Sequence, residues 1–347
     1  MAFLIGVVLI SWLITSALFL PFIQSLYKRK FQRMHQVTRD AFNKRTPIFD
    51  KFHQWKAGTP VGGGALVIAV TTILFPVVLL LMRYFWVPIT SVYPMVHEVK
   101  IILFTFLSFG LLGFLDDAKK TFVLKSKFFG LRLRHKLILE ILIAFVVAMW
   151  MYGDLSINIL FIPLIGTFHL GWMFVPFAMF VIVSFANAFN ITDGLDGLAS
   201  GILVIALFAF WVISSSILDT PLSVFIALWI GSLIAFLYFN AYPARIFLGD
   251  VGALSFGATL AVVGLILGKT PMLLVIGLPY VVEVTSSLIQ LLSKRFFHRK
   301  VFIAAPFHLL LQHLGWEEPK IVMRAWIIAM VCAIFGLFLA LLSSNPV

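Results

Sequence analysis

The sequence predicts an all-α, polytopic membrane protein with about ten transmembrane helices. Of its 347 residues, 62% are hydrophobic and 12% are charged, whereas an ordinary soluble domain is about 25% charged. Apolar runs recur along the whole chain, and several approach the roughly 20 residues that a helix needs to cross a bilayer. No stretch has the composition of a soluble domain, so we expect a single membrane domain over residues 1–347.

The apolar runs place the predicted helices in order along the chain. The first run lacks a basic stretch before it and a small-residue cleavage site, which favours a transmembrane helix over a removable signal. Cys332, the one cysteine, lies in the last run and excludes a disulfide framework. The ten helices are expected at 2–24, 62–82, 100–114, 137–152, 169–187, 198–216, 221–240, 251–267, 271–291 and 322–343.

The basic residues predict the orientation of these helices. Apart from Arg83, Lys100 and Lys269, every Lys and Arg lies in alternate connections or, for Arg324, just inside the last helix. By the positive-inside rule those connections are cytoplasmic and both termini are outside. The net charge of +12 therefore indicates topology and anionic partners, either lipid headgroups or a phosphorylated substrate, and no nucleic-acid-binding module is visible. The predicted cytoplasmic connections are 25–61, 115–136, 188–197, 241–250 and 292–321.

Five aspartates lie at the predicted cytoplasmic ends of helices. Asp116 and Asp117 end the third helix in GFLDDAKK, Asp193 and Asp196 follow the fifth in NITDGLDG, and Asp250 precedes the eighth in ARIFLGDVGA. An aspartate at a helix end is most often a cap, but two adjacent carboxylates repel each other, so pure capping does not account for both. A transporter would place ionisable groups near the bilayer midplane. The clustering at one face instead favours a reaction at the membrane surface.

The residue types in this cluster favour Mg²⁺ and phosphate chemistry. Carboxylate and asparagine oxygens are hard donors, and Mg²⁺ binds through a few carboxylates together with substrate phosphates. The neighbouring basic side chains would neutralise a diphosphate. A fully membrane-embedded chain with such a site is expected to act on one lipid and one water-soluble substrate. The basic residues concerned are Lys119, Lys120, Arg134 and Lys136.

Two further segments carry candidate residues. In HQWKAGTPVGGGALV, Lys56 and Thr59 could meet a nucleotide or phosphate, while the glycines could equally serve only tight helix packing. In the last connection, LLLQHLGW is expected to form a short interfacial helix. His308 is the stronger functional candidate there and His313 the weaker, because histidine can position a phosphate or transfer a proton. Glu283, within the ninth predicted helix, is expected to pair with a neighbouring helix.

Four blocks in a fixed order give the chain a family resemblance: KAGTPVGGGALV, GFLDDAKK, NAFNITDGLDGLASG and NAYPARIFLGDVGALSFG. They resemble the polyprenyl-phosphate N-acetylhexosamine-1-phosphate transferases of the bacterial cytoplasmic membrane. A fifth block, APFHLLLQHLGWEEPKIVMRAWII, favours the muramoyl branch. The resemblance implies transfer of phospho-N-acetylmuramoyl-pentapeptide from its UDP-sugar to undecaprenyl phosphate, giving lipid I and UMP in peptidoglycan synthesis. It also implies Mg²⁺ as cofactor, contact with membrane lipids and a homodimer.

The same resemblance implies roles for individual residues. Asp116, Asp117 and Asp250 would lie at the Mg²⁺ and the lipid phosphate, with His308 as the fourth catalytic residue. Phe247 would stack on uracil through its flat ring face. The other residues implied to bind the nucleotide or diphosphate are Lys56, Thr59, Lys120, Asn187, Asn190, Asp193, Asp196 and Asn240.

The chain also departs from the family pattern. Three consecutive histidines are usual in the last connection, and here they read His308, Leu309 and Leu310; Ala253 stands where serine is usual. The nearest alternative function is therefore transfer of N-acetylglucosamine 1-phosphate from its UDP-sugar for another surface polymer. A lipid flippase or other transporter, and an inactive binding scaffold, are the alternatives from other classes.

Overall fold

The computed structural model describes residues 2–32, 52, 54–122, 133–163 and 165–342, and within them the chain is almost entirely helical. Nine of the described helices are long and apolar enough to cross a membrane, and the bent pair α9–α10 would be a tenth span. The chain is thus a multi-pass membrane protein. The helices are α1 Ala2–Lys28, α2 Gly63–Tyr84, α3 Met95–Phe122, α4 Leu133–Asp154, α5 Phe174–Thr192, α6 Leu198–Ser216, α7 Thr220–Asn240, α8 Gly249–Ile266, α9 Thr270–Ile276, α10 Leu278–Phe296, α11 Phe307–His313 and α12 Glu318–Leu342.

Three helices differ from the prediction in ways that affect the site. Helix α5, expected over 169–187, runs from Phe174 to Thr192 and therefore carries Asn190. Helix α3 was expected to end at 114 but continues two turns further, to Phe122. The Asp116–Lys120 ion pair, one turn apart at 2.9 Å, stabilises these polar turns, and an apolar run marks only the part of a helix that meets hydrocarbon. The ninth predicted helix breaks at Gly277 with an 80° bend. Pro279, in the first turn of α10, lacks the amide hydrogen that would continue α9.

A two-stranded hairpin between α4 and α5 was not predicted. Strand β1 (Ile159–Ile162) pairs antiparallel with β2 (Gly166–His169), and Ile162 faces Gly166 next to the turn. Gly166 has φ of +127°, a conformation that side chains rarely allow. Apolar periodicity does not separate a short strand from the start of a helix, so only the tertiary structure shows the hairpin.

Helix α8 is the centre of the bundle, because all of its residues are buried. It packs against α2, α3 and α5 at glycines that let backbones meet. A Cβ added at Gly113 of α3 would lie 2.0 Å from the Asp250 carbonyl oxygen, and one at Gly64 of α2 would lie 2.3 Å from the Gly252 Cα. Small residues commonly permit such close helix contacts in membranes. The Gly113 contact fixes the start of α8 beside the polar end of α3.

Candidate active site

The last turns of α3 and the first turn of α8 meet in a cluster of two lysines and two aspartates, here called the lysine–aspartate cluster. The Nζ of Lys120 lies 2.8 Å from the Asp250 Oδ2 and 2.9 Å from the Asp116 Oδ2. The Nζ of Lys136, from the first turn of α4, lies 2.7 Å and 3.4 Å from the same two oxygens. Asp116 and Asp250 are nearly buried. Each lysine therefore bridges both carboxylates, which lie close together.

Asp117 contacts the start of α8. Its Oδ2 accepts a hydrogen bond of 3.1 Å from the backbone amide of Val251. A Cβ added at Gly249 would lie 2.6 Å from that oxygen, so glycine is required for the approach. A carboxylate at a helix N-terminus is stabilised by the unpaired amides there. From the sequence, capping alone was not expected to account for both adjacent aspartates, and the structure gives a capping contact to Asp117.

A second buried group, the Lys56 triad, consists of Lys56, Asp196 and Glu318. The Nζ of Lys56 lies 2.6 Å from the Asp196 Oδ1 and 2.6 Å from the Glu318 Oε1. Glu318, the first residue of α12, also accepts the backbone amide of Asp196 at 2.6 Å. The other Asp196 oxygen accepts the amide of Ala244 at 2.9 Å. One ammonium group thus balances two carboxylates out of water.

The loop that contains Gly62, Gly63 and Gly64, here called the glycine loop, is held against the segment that carries Phe247. The Phe247 carbonyl accepts the amides of Gly62 and Gly63 at 3.1 and 2.9 Å. A Cβ at Gly63 would lie 2.4 Å from the Phe236 ring, so these glycines have a packing function. The loop places the Lys56 Nζ 6.0 Å from the Phe247 ring centre, with the partly buried Thr59 on the turn that follows it.

Asn240, at the end of α7, links three segments around the same region. Its Oδ1 accepts the amide of Gly197 at 3.1 Å and the hydroxyl of Ser200 at 2.9 Å. Its Nδ2 donates to the Ile246 carbonyl at 3.0 Å. The side chain therefore organises the start of α6 and the approach to Phe247.

The polar end of α5 lines the region between the two ionic groups. Asn187 donates to the Glu140 Oε2 of α4 at 2.5 Å. One helical turn on, the Nδ2 of Asn190 is buried without a hydrogen-bond partner among the described residues. Asp193 follows the helix and interacts electrostatically with Asp117, Asp250 and Lys56.

Burial raises the pKa of Asp193 from its ordinary value of 3.8 to about 7, and the charges of Asp250 and Asp117 act in the same direction. Between these two values the folded protein retains a proton that the unfolded chain has released. Stability should therefore fall as pH rises through this window and level off above it. In Asp193→Asn, the thermal unfolding midpoint, measured in metal-free detergent, should fall less as pH rises. Unchanged pH dependence in this variant, as expected for Asp154→Asn, would contradict the assignment.

His308 lies at the start of α11 and is 1% exposed. Its Nδ1 is 3.0 Å from the Glu283 Oε2. Its Nε2 faces the Gly194 turn, where an added Cβ would lie 2.4 Å away. His313 is exposed on the same short helix. The short helix predicted here is confirmed, and so is the pairing of Glu283 with a neighbouring helix.

The donor set around the lysine–aspartate cluster fits Mg²⁺. The two lysine ammonium groups lie between Asp116 and Asp250, so the space between these carboxylates accommodates positive charge. Within the described residues, no three His, Cys, Asp or Glu side chains form a complete metal cage. Mg²⁺ commonly binds through one or two carboxylates, with water and substrate phosphates completing its octahedron.

Sequence reasoning missed two members of the site. Glu318 stands in WEEPK at a helix start, where an acidic residue is expected as a helix-stabilising charge. Glu140 lies within the apolar run of α4 and is 1% exposed. An ionisable residue inside a membrane helix was the available signal, since such residues are rare and usually paired.

Known proteins are similar in sequence to most of the chain. The family model described as Glycosyl transferase family 4 matches residues 99–268. A curated relative from Clostridium perfringens (strain SM101 / Type A), named phospho-N-acetylmuramoyl-pentapeptide-transferase, is 36% identical over 331 residues, covering 93% of each chain. Relatives of the same name from Acetivibrio thermocellus (36% identical, 83% of each chain) and Latilactobacillus sakei subsp. sakei (35%, 94% of this chain and 95% of the relative) are also similar.

Proposed function

The chain belongs to the phospho-N-acetylmuramoyl-pentapeptide-transferase family, and from that premise we propose its reaction. It transfers phospho-N-acetylmuramoyl-pentapeptide from the UDP-sugar to undecaprenyl phosphate, giving lipid I and UMP for peptidoglycan synthesis. The observation that carries the proposal is the pair of carboxylates, Asp116 and Asp250, bridged by two lysines at the polar end of a membrane helix bundle. Such a site suits a diphosphate that meets a lipid at the membrane surface.

The charges of the site support a bound cation. Three lysines, Lys56, Lys120 and Lys136, make its described ion pairs. Among the described residues acidic side chains outnumber these lysines, and carboxylate oxygens are donors that Mg²⁺ prefers. The carboxyl groups are Asp116, Asp117, Asp193, Asp196, Asp250, Glu140 and Glu318.

We propose that Asp116 and Asp250 hold Mg²⁺, with Asp117 beside them. When bound, Mg²⁺ supplies compact positive charge that stabilises the charge developing on the diphosphate. Lys120 and Lys136 exchange carboxylate contacts for phosphate oxygens when the substrate enters. Their flexible ammonium groups suit this exchange because each donates up to three hydrogen bonds.

The remaining residues bind and orient the reactants. Phe247 presents a ring face to uracil, and the polar end of α5 holds the nucleotide through Asn190 and Asp193. The lipid phosphate oxygen attacks the β-phosphorus, and the bond to UMP breaks. Asp117 takes any residual proton from the lipid phosphate. Catalysis then rests on positioning and electrostatic stabilisation, as in other phosphoryl transfers.

The membrane orientation is part of the proposal. We propose that the site lies on the cytoplasmic face of the bacterial inner membrane and that both termini lie outside, as the positions of the basic connections favour. The UDP-sugar then reaches the site from the cytoplasm, while the lipid phosphate arrives within the membrane. A homodimer in the membrane is proposed by analogy with the family alone.

A comparison of two sugar nucleotides tests the proposed substrate. Purified protein with Mg²⁺ and undecaprenyl phosphate should release UMP from UDP-N-acetylmuramoyl-pentapeptide. The corresponding rate with UDP-N-acetylglucosamine should be at least about 10²-fold lower. This nucleotide lacks substrate contacts, and their loss weakens transition-state binding by several kcal/mol. Preference for UDP-N-acetylglucosamine would instead assign the chain to another surface polymer. No UMP from either nucleotide, despite nucleotide binding, would favour an inactive scaffold.

A further inference from the structure

We propose that Glu283 is a positioning residue that holds the His308 ring so that its Nε2 faces the substrate phosphates. The catalytic part of this inference rests on the proposed function, whereas the orientation of the ring rests on geometry alone. Glu283 lies on α10 and His308 on α11, which follows after the connection 297–306.

Three contacts join the two residues. Both Glu283 oxygens accept the backbone amide of His308, at 3.1 Å for Oε1 and 3.3 Å for Oε2. The Oε2 is also 3.0 Å from the ring Nδ1. Glu283 is 6% exposed and His308 is 1% exposed, so water competes little for these bonds. The carboxylate thereby fixes both the backbone position and the ring orientation of His308.

The ring orientation determines which nitrogen is available. Because an ionised carboxylate only accepts hydrogen bonds, Nδ1 carries a proton and donates it to Glu283. Nε2 is left as the free nitrogen, and it is buried with no hydrogen-bond partner among the described residues. Buried polar atoms are rarely left without a partner, so this unpartnered nitrogen points to a ligand.

The free nitrogen lies against the Gly194 turn. A Cβ at Gly194 would lie 2.4 Å from Nε2, so only glycine lets the ring approach this turn. The turn lies between Asp193 and Asp196, which border the proposed nucleotide and diphosphate region. A phosphate oxygen is a suitable partner, because Nε2 accepts its proton when the ring is neutral and donates to it when the ring is charged.

The same face of α10 anchors the connection at a second place, which supplies a matched control. Gln290, two turns after Glu283, accepts the backbone amides of Val301 and Phe302 at 3.0 and 2.9 Å. Gln290 therefore holds the returning chain by the same kind of contact but does not touch His308. A purely structural function for Glu283 predicts that the two alanine variants behave alike.

A double-mutant cycle tests the positioning function by UMP release. Glu283→Ala should lower kcat by about 10²-fold, as loss of an orienting partner commonly does, and change the nucleotide KM by less than about threefold. Glu283→Gln should restore most of the activity, because its amide oxygen accepts the same bonds. In a His308→Ala background, Glu283→Ala should cost less than about twofold. Equal losses in both backgrounds, or a comparable kcat loss in Gln290→Ala, would overturn the proposal.

Nitrogen-15 spectra of histidine-labelled protein in nanodiscs test the ring orientation without any turnover. The His308 signal is identified as the one that disappears in His308→Ala, and it should show a protonated Nδ1 in the wild type and lose that signature in Glu283→Ala. An unchanged signal would overturn the proposal whatever the activity. A wild type that releases no UMP but shows this signature would contradict the proposed function and leave the positioning of His308 supported.

Discussion

Replacing Asp250 by asparagine is expected to lower Mg²⁺-dependent UMP release by about 10³-fold, the scale seen when an enzyme loses a group that stabilises developing charge. Asp250 accepts hydrogen bonds from both Lys120 and Lys136 and lies on the first turn of the central helix α8. An amide of the same shape keeps the packing but removes the negative charge. The variant should therefore fold normally and also bind Mn²⁺, used as a spectroscopic probe for Mg²⁺, more weakly.

Asp154→Asn is the matched control for this substitution. Asp154 pairs with Lys100 at the end of α4 that leads to the hairpin, and its side chain is 29% exposed. An exposed ion pair contributes little, so activity should stay within about twofold of the wild type. Normal turnover by Asp250→Asn, with unchanged Mn²⁺ binding, would remove Asp250 from the proposed metal site.

Replacing Lys56 by methionine is expected to destabilise the protein by about 3–5 kcal/mol, the usual cost of leaving buried charges without their partner. Lys56 is 4% exposed and balances both Asp196 and Glu318. Methionine fills similar space but leaves two carboxylates close together without a cation. Thermal unfolding followed by tryptophan fluorescence in detergent measures the loss as a lower midpoint.

Two further variants separate charge from packing. Lys56→Met combined with Glu318→Gln should recover part of the midpoint, because one uncompensated carboxylate is removed. Lys100→Met, the same substitution at a partly exposed pair with Asp154, should change the midpoint little. Should Lys56→Met unfold no more readily than Lys100→Met, the Lys56 triad would not stabilise the fold.

Hydropathy predicted the helix bundle well because a bilayer requires long apolar helices. The predicted helix 198–216 coincides with α6, and most others agree within a few residues. The errors occur where the polarity of a segment does not indicate its backbone structure. Helix α3 stays helical through DDAKK, the 159–169 segment forms a hairpin, and the chain bends at Gly277.

The sequence also indicated which aspartates would be close in space. Asp116, Asp117 and Asp250 meet because the end of α3 packs on the start of α8. The sequence did not indicate which lysine meets which carboxylate. It also missed Glu140 and Glu318, because these reach the site from other helices, where they contact Asn187 and Lys56. The glycines of 62–64 were ambiguous in the sequence, and the structure shows that Gly63 packs against α7 and Gly64 against α8. The metal and substrate contacts of these residues stay predictions.

The fate of the β-phosphate distinguishes transfer of a sugar phosphate from transfer of the sugar alone. UDP-N-acetylmuramoyl-pentapeptide labelled with ³²P at the β-phosphate would be incubated with the protein, Mg²⁺ and undecaprenyl phosphate. We predict that the label moves into the lipid extract in equal amount to the UMP released. Label that stays in the aqueous phase as UDP, while sugar enters the lipid, would contradict the account.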